Sequence, residues 1–226
     1  MKIYHIIKKS GCDTDFRRVM LTALERIQIL KKSKKDLSDI KIYLASGFFN
    51  INVSSPKVDI LNYVDPITKL TLSNLLLGLD VEIFGAYNGS KDLLSLKAIL
   101  SPKVKTLTVY YKHRFHTKLF VISINNTPVF EIIGSSNMTL PAYEGLQYSA
   151  RGKHIYSLNT ETDLILYNDE FNVAGTNHVL GENMKLQSNM MQFDYRAEDN
   201  NDIMFVERMN SIVDYLNELK SQMKKV

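Results

Sequence analysis

The 226-residue chain is 45% hydrophobic and 23% charged, which is typical of a folded globular protein and excludes an intrinsically disordered one. No stretch approaches the roughly 20 consecutive apolar residues of a membrane-spanning helix, and residues 1–9 contain no apolar run typical of a secretion signal. We therefore expect a cytoplasmic protein without membrane contact. The net charge of +4 permits a polyanionic partner, and the single Cys12 can form neither an internal disulfide nor a cysteine-based zinc site.

Apolar periodicity predicts alternating helices and strands in the first half of the chain. Residues 16–30 carry apolar side chains at helical spacing and predict an amphipathic helix. Residues 40–45 are β-prone and predict a strand. Residues 66–79 predict a second helix that leads to a strand at 81–84, and a third helix is expected near 91–100. This alternation indicates a parallel or mixed sheet covered by helices.

The second half of the chain is richer in strands. Its predicted strands are residues 106–111, 115–122, 129–133 and 162–167, with a hairpin turn at 125–128. Residues 194–202 are polar and predict an exposed connection to a last helix, whose apolar stripe is Val206, Met209, Val213, Leu216 and Met223.

The predicted fold class is α/β, with a mixed, largely parallel sheet flanked by helices on both faces and a C-terminal helix. We expect residues 1–193 to form one domain. Residues 194–226 supply the polar connection and the helix, which packs either on this domain or on a dimer partner; the sequence leaves both possibilities open.

The residues that carry chemistry lie around the predicted hairpin. In a strand over 115–122, His116 and Lys118 would share one face, because side chains two apart point the same way. The next strand ends in Gly-Ser-Ser-Asn, so the hairpin could bring Ser135 and Asn137 near His116 and Lys118. An imidazole, a fixed cation, a hydroxyl and an amide are groups that bind and attack a phosphodiester.

The run HTKLFVISINNTPVFEIIGSSN resembles the His-x-Lys and Gly-Ser-x-Asn signature of the phospholipase D superfamily. Within that superfamily the chain is most similar to the metal-independent nucleases, especially the catalytic domain of certain type II restriction endonucleases. The resemblance extends more loosely over residues 35–170. Two positions depart from the family pattern. Ser123 stands where the family often has Asp, and the family's later acidic residue is matched by Glu161, with Glu144 as the competing candidate.

The resemblance implies a role for each matched residue. His116 would attack phosphorus and form a phosphohistidine, while a second histidine would protonate the leaving oxygen. Lys118 and Asn137 would hold phosphate oxygens, Ser135 would add a hydroxyl donor, and Glu161 would orient His116. The chain contains one His-x-Lys, so the second half of the site would come from a second copy in a homodimer. No metal or other cofactor is implied.

Basic residues just before the motif suit the phosphates of a nucleic acid. The residues expected to bind substrate are Lys112, His113, Arg114 and Ser136. The favoured activity is that of a DNA endonuclease of the restriction type. The sequence leaves open the choice between DNA and RNA and between single and double strands.

Two other functional classes compete with an independent nuclease. One is a nucleic-acid-binding module of the same fold without turnover. The other is the nuclease subunit of a larger defence complex, with a specificity or helicase partner. Only some 56 residues follow residue 170, which is short for a recognition domain. A lipid substrate is less favoured, because no amphipathic membrane-binding stripe or lipid-anchor signal is present.

Overall fold

The computed structural model describes residues 2–8, 16–33, 37, 39–47, 49, 60–62, 64, 69–86, 91–138, 146–148, 154–156, 161–167, 171, 190–193 and 200–226. Its helices are α1 (Phe16–Ser33), α2 (Leu72–Leu75), α3 (Lys91–Leu100) and α4 (Asn200–Gln222). Its strands are β1 (Lys2–Lys8), β2 (Ile40–Ser46), β3 (Asp80–Ala86), β4 (Thr106–Lys112), β5 (Leu119–Ile124), β6 (Thr127–Gly134), β7 (Leu146–Tyr148), β8 (His154–Tyr156), β9 (Glu161–Tyr167), β10 (Met190–Phe193) and β11 (Lys224–Lys225). None of the helices in these ranges has the length and apolar character needed to cross a bilayer.

Nine strands form one sheet in the order β10-β1-β9-β6-β5-β2-β3-β4-β11, and β7 pairs with β8 separately. Strands β2, β3 and β4 are parallel to one another, whereas every other neighbouring pair is antiparallel. The α/β class, the mixed sheet and the C-terminal helix are therefore confirmed. Parallel pairing is confined to β2, β3 and β4, because the connections between these strands contain helices. A tight hairpin such as that between β5 and β6 reverses the chain and gives antiparallel pairing.

One face of the sheet is covered by α1, α2 and α3. Alternate residues of the central strands, such as Ile42 and Leu44 of β2 and Phe120 and Ile122 of β5, belong to one buried apolar cluster with these helices. The predicted periodicity of α1 is confirmed, since Val19, Leu24 and Ile27 are fully buried in that cluster. The helices on this face hold the strands that lead to the site.

The opposite face is covered by α4. Its buried Leu216 and Leu219, together with Met223 just after its end, pack with Tyr43, Phe84 and other inward residues of β2 to β5. Lys220 Nζ lies 2.7 Å from Glu82 Oε2 and 5.4 Å from the centre of the Tyr43 ring. Strand β11 then pairs with β4. The apolar stripe of the last helix therefore packs on this chain's own sheet, and helices cover both faces as predicted.

Glu131 is a buried carboxylic acid on the α4 side of the sheet. It lies in β6 between Val121 of β5 and Leu166 of β9, and none of its surface is exposed. Within the described part of the chain, neither carboxylate oxygen has a hydrogen-bond partner. Burial raises the pKa of Glu131 to about 8, because the charged form loses its hydration. The group is therefore mostly protonated at neutral pH.

Several element boundaries differ from the sequence predictions. In the described part of the helix predicted at 66–79, which is residues 69–79, a single turn, α2, is helical, because Thr71 caps its start and Gly78 turns the chain at a φ of 67°. Helix α4 begins at Asn200, so the connection predicted at 194–202 is shorter at its end. Strands β1, β10 and β11 were not predicted. The hairpin turn is confirmed at Asn125 and Asn126, whose positive φ angles of 51° and 61° suit a two-residue turn.

Candidate active site

The candidate site lies at one end of the central sheet. Strands β2, β3 and β4 finish at this end, and the antiparallel β5 begins there. The chain after β6 and the start of β9 reach the same end, because β6 is antiparallel to both β5 and β9. Both predicted motifs therefore lie at the same end of the sheet.

His116 and Lys118 lie just before β5 and not within it, so the strand predicted from residue 115 was placed too early. The first residue of β5, Leu119, pairs with Ala45 of β2, and β2 itself ends one residue later. Without a longer partner strand, residues 115–118 extend beyond the ladder. His116 is exposed and Lys118 is half-buried. Both residues are accessible to a ligand at the sheet edge.

Gly47 marks the point where the two motifs meet. A Cβ atom on Gly47 would lie 3.0 Å from the Phe115 carbonyl oxygen and 3.3 Å from Asn137 Oδ1. It would also lie 3.8 Å from the His116 Cα. The structure therefore brings His116 and Asn137 together around a position where a side chain would crowd the backbone.

The side chain of Asn137 is held by the end of β2. Ser46 Oγ donates a hydrogen bond of 3.3 Å to Asn137 Oδ1 and accepts one of 2.9 Å from the Met138 backbone N–H. Ser46 is fully buried, whereas Asn137 is half-buried. Ser46 and Gly47 were not among the predicted site residues, although both lie within the loose family resemblance over residues 35–170.

The middle of the Gly-Ser-Ser-Asn loop is fixed by Asp163 of β9. The Ser136 backbone N–H donates to Asp163 Oδ1 at 3.1 Å, and Ser136 Oγ donates to Asp163 Oδ2 at 2.5 Å. Both residues are buried. The Ser136 hydroxyl is therefore directed into the protein and supports the loop. Its expected contact with substrate stays a prediction. An acidic residue inside an apolar strand was the sequence signal for Asp163.

The other candidate residues are placed less completely. Ser135 is half-buried beside the site. Glu161 is the first residue of β9, opposite Lys8 of β1, at the same edge of the sheet. Glu144 lies outside the described residues, so the choice between Glu161 and Glu144 stays a prediction.

Three exposed residues lead from β4 into the site: Lys112, His113 and Arg114. Arg114 adopts a φ of 56°, a left-handed conformation that is unfavourable for a side chain of this kind. Lys112 Nζ donates a hydrogen bond of 2.9 Å to Gln222 Oε1 at the end of α4. This turn places positive charge next to the exposed His116.

Helix α4 also reaches the segment that carries the motif. The hydroxyl groups of Tyr215 and Thr117 lie 2.9 Å apart and share a hydrogen bond. Thr117 separates His116 from Lys118, so the last helix contacts the segment between them. Nothing in the sequence alone pointed to Tyr215.

The arrangement can bind an oxyanion and present an imidazole to it. Lys118 and the Asn137 amide are donors, and His116 is a nucleophile or a base. Among the residues that the structure describes, no group of three or more His, Cys, Asp or Glu side chains is placed to bind a metal ion.

No protein-family model and no curated protein matches the sequence. Solved structures give partial likenesses. A mutant of yeast tyrosyl-DNA phosphodiesterase matches with a TM-score of 0.38 and 10% identity, over 77% of this chain and 48% of that one. TrmBL2, an archaeal chromatin protein with a novel mode of DNA binding, matches with a TM-score of 0.32 and 14% identity, over 76% of this chain and 51% of that one. A further structure of the yeast enzyme matches with a TM-score of 0.32 and 16% identity, over 72% and 31% of the two chains. The chain thus spans no more than 51% of these proteins, and the likenesses assign it neither a family nor an activity.

Proposed function

We propose that this protein is a phosphodiesterase that cleaves nucleic acid without a metal ion, as a DNA endonuclease of the restriction type. The observation that carries the proposal is the meeting of the two motifs around Gly47. Residues 116 and 137 are far apart in the chain, yet the His116 Cα and Asn137 Oδ1 both lie within 4 Å of the same point. A nucleophile and an oxyanion donor are thereby brought to one edge of the sheet.

The proposed reaction has two displacement steps at phosphorus. The neutral imidazole of His116 attacks, a P–N bond forms, and the P–O bond to the leaving nucleotide breaks. A second imidazole gives a proton to the leaving oxygen and then removes one from the attacking water. Water breaks the P–N bond, which restores His116 and completes hydrolysis. Lys118 and Asn137 stabilise the nonbridging oxygens throughout, and Ser135 adds a donor.

The second imidazole comes from another copy of this chain in the proposed homodimer. The sequence holds a single His-x-Lys, so a twofold pair of chains would supply both imidazoles to one shared site. Glu161 is proposed to orient His116, which is consistent with its position at the site edge.

Nucleic acid is the proposed substrate because exposed basic residues, including the cations Lys112 and Arg114, lie beside the site. Lys112, His113 and Arg114 form the turn that leads directly to His116. Cations in such a position neutralise backbone phosphates on either side of the scissile bond. A partner chain that supplies sequence specificity is compatible with the same site.

The test incubates the purified protein with supercoiled plasmid and labelled single strands in excess EDTA. The wild-type protein should cut at least one substrate, and His116→Ala should bind it without cutting. His113→Ala is the matched histidine control; it should bind more weakly but still cut at saturating protein. Quenching the wild-type reaction with alkali should trap labelled phosphate on the protein, because a phosphohistidine is labile to acid and stable to alkali.

Three outcomes would contradict the proposal. Cleavage that requires Mg²⁺ would make carboxylates such as Glu161 and Asp163 candidate metal ligands. Binding without cleavage under all conditions would favour the binding module. Cleavage by His116→Ala would remove this residue from the reaction.

Mixing two inactive variants tests the shared site. Every dimer of His116→Ala with Lys118→Ala lacks an essential group on each half, so mixed samples should recover little activity. Substantial recovery would contradict a single shared site that needs His116 and Lys118 from both chains.

A further inference from the structure

We propose that Ser46 is a positioning residue that fixes which end of the Asn137 amide faces the substrate. The inference deepens the proposed function and rests on it. Ser46 was not among the residues predicted to act at the site, and it makes no proposed contact with the substrate.

The argument starts from the hydrogen bonds of the Ser46 hydroxyl. Its oxygen accepts from the Met138 N–H at 2.9 Å, and its hydrogen is donated to Asn137 Oδ1 at 3.3 Å. The backbone N–H can only donate, so it directs an acceptor lone pair of Ser46 toward Met138. The hydroxyl hydrogen is donated to the oxygen of the Asn137 amide, and the Nδ2 end could not accept it.

The orientation of Asn137 matters because an amide has unlike ends. Because Ser46 binds Oδ1, Nδ2 is the other end of this half-buried amide and is the end that we propose for the substrate. Nδ2 carries two donors and can hydrogen-bond a nonbridging phosphate oxygen. The opposite orientation would present oxygen lone pairs to an anion and repel it. Ser46 thus distinguishes a binding orientation from a repelling one.

The surrounding packing restricts the movement of Ser46 relative to Asn137. Ser46 is the last residue of β2 and is fully buried, so its side chain has little freedom. Gly47 follows at once and lets the Phe115–His116 backbone and Asn137 approach closely. The end of β2 therefore sets both the position of Asn137 relative to His116 and the direction of its amide.

The first experiment compares Ser46→Ala with Ser123→Ala. Ser123 is also a buried serine, on the neighbouring β5. It pairs with Lys41 of β2, toward the end of β5 that is farther from the site. We expect Ser46→Ala to lower the single-turnover cleavage rate by about 10- to 30-fold, the effect of one hydrogen bond to a charged group. Ser123→Ala should retain the wild-type rate. Equal rates for the two variants would overturn the inference.

A second comparison separates positioning from a general loss of structure. If Ser46 acts only through Asn137, Ser46→Ala should slow Asn137→Ala by less than about twofold. A merely structural role would lower the rate by a similar factor in both backgrounds, and that outcome would overturn the inference.

A binding measurement keeps the inference testable if the protein cuts no nucleic acid. The side-chain amide ¹⁵N signals of Asn137, assigned with Asn137→Asp, are followed during titration with inorganic phosphate. We expect these signals to shift in the wild-type protein and to shift at least fivefold less at the same phosphate concentration in Ser46→Ala. No shift in the wild-type protein, or equal shifts in both, would overturn the inference independently of catalysis.

Discussion

Replacing Glu131 with glutamine should stabilise the fold by an amount that grows as the pH rises. The glutamate is fully buried in β6, and burial raises its pKa from 4.5 to about 8. Between these two values the folded chain holds a proton that the unfolded chain has released. Stability therefore falls as the pH rises through this window, since unfolding releases the proton. Glutamine does not titrate and should abolish this part of the pH dependence.

The size of the effect follows from the two pKa values. By proton linkage, the raised pKa of Glu131 lowers the free energy of unfolding by about 1 kcal/mol at pH 5 and by about 4 kcal/mol at pH 8, relative to a side chain that does not titrate. The difference between the unfolding free energies of Glu131→Gln and the wild type should therefore grow by roughly 3 kcal/mol over this range. Taking the difference between two proteins removes the contribution of every other titrating group that the substitution leaves unchanged.

The assay is urea unfolding followed by circular dichroism at pH 5, 6, 7 and 8. Glu207→Gln, on the exposed surface of α4, controls for the substitution itself. A difference between Glu131→Gln and the wild type that stays constant from pH 5 to 8 would refute the reasoning. It would mean that Glu131 is hydrated or paired in the folded protein.

Three further changes test the site. Gly47→Ala should lower the cleavage rate at least about 100-fold while the circular dichroism spectrum is retained, because the new methyl group would lie 3.0 Å from the Phe115 carbonyl oxygen. Wild-type activity would show that the close approach is not needed. Asp163→Ala removes both hydrogen bonds to Ser136 and should cost about 2 to 4 kcal/mol in urea unfolding; an unchanged midpoint would contradict this. Arg114→Gly should weaken nucleic-acid binding and reduce the slope of log affinity against log salt concentration by about one. The free energy of unfolding should be unchanged or rise by about 1 kcal/mol, because glycine adopts the left-handed backbone conformation without strain. Unchanged affinity in a salt titration would exclude Arg114 from the interface.

The central elements could be predicted because local pattern and tertiary burial agree there. Helices α1 and α3 and strands β2 to β6 carry strong apolar periodicity, and the structure buries those same positions. Strands β1 and β10 could not be predicted, because they gain their conformation from pairing. Two residues of β11 are likewise too short to show a pattern.

The sequence likewise predicted some residues of the candidate site and missed others. A motif identified His116, Lys118 and Asn137, and the structure brings the two halves of that motif together around Gly47. Ser46, Asp163 and Tyr215 could not be assigned from the sequence, since each acts through a contact with a residue far away in the chain. The strand predicted at His116 failed because a strand ends where its partner ends, which local sequence does not encode.

The contact between Thr117 and Tyr215 also has a consequence for the order of synthesis. These residues are separated by 98 positions. At a ribosomal rate of about 5 to 20 residues per second, roughly 5 to 20 s pass between their additions to the chain. During that interval the aromatic face of β2 to β4 lacks its covering helix, and the segment with His116 lacks this support. A growing chain is therefore exposed to aggregation, and the candidate site lacks the contact between Thr117 and Tyr215 until α4 emerges.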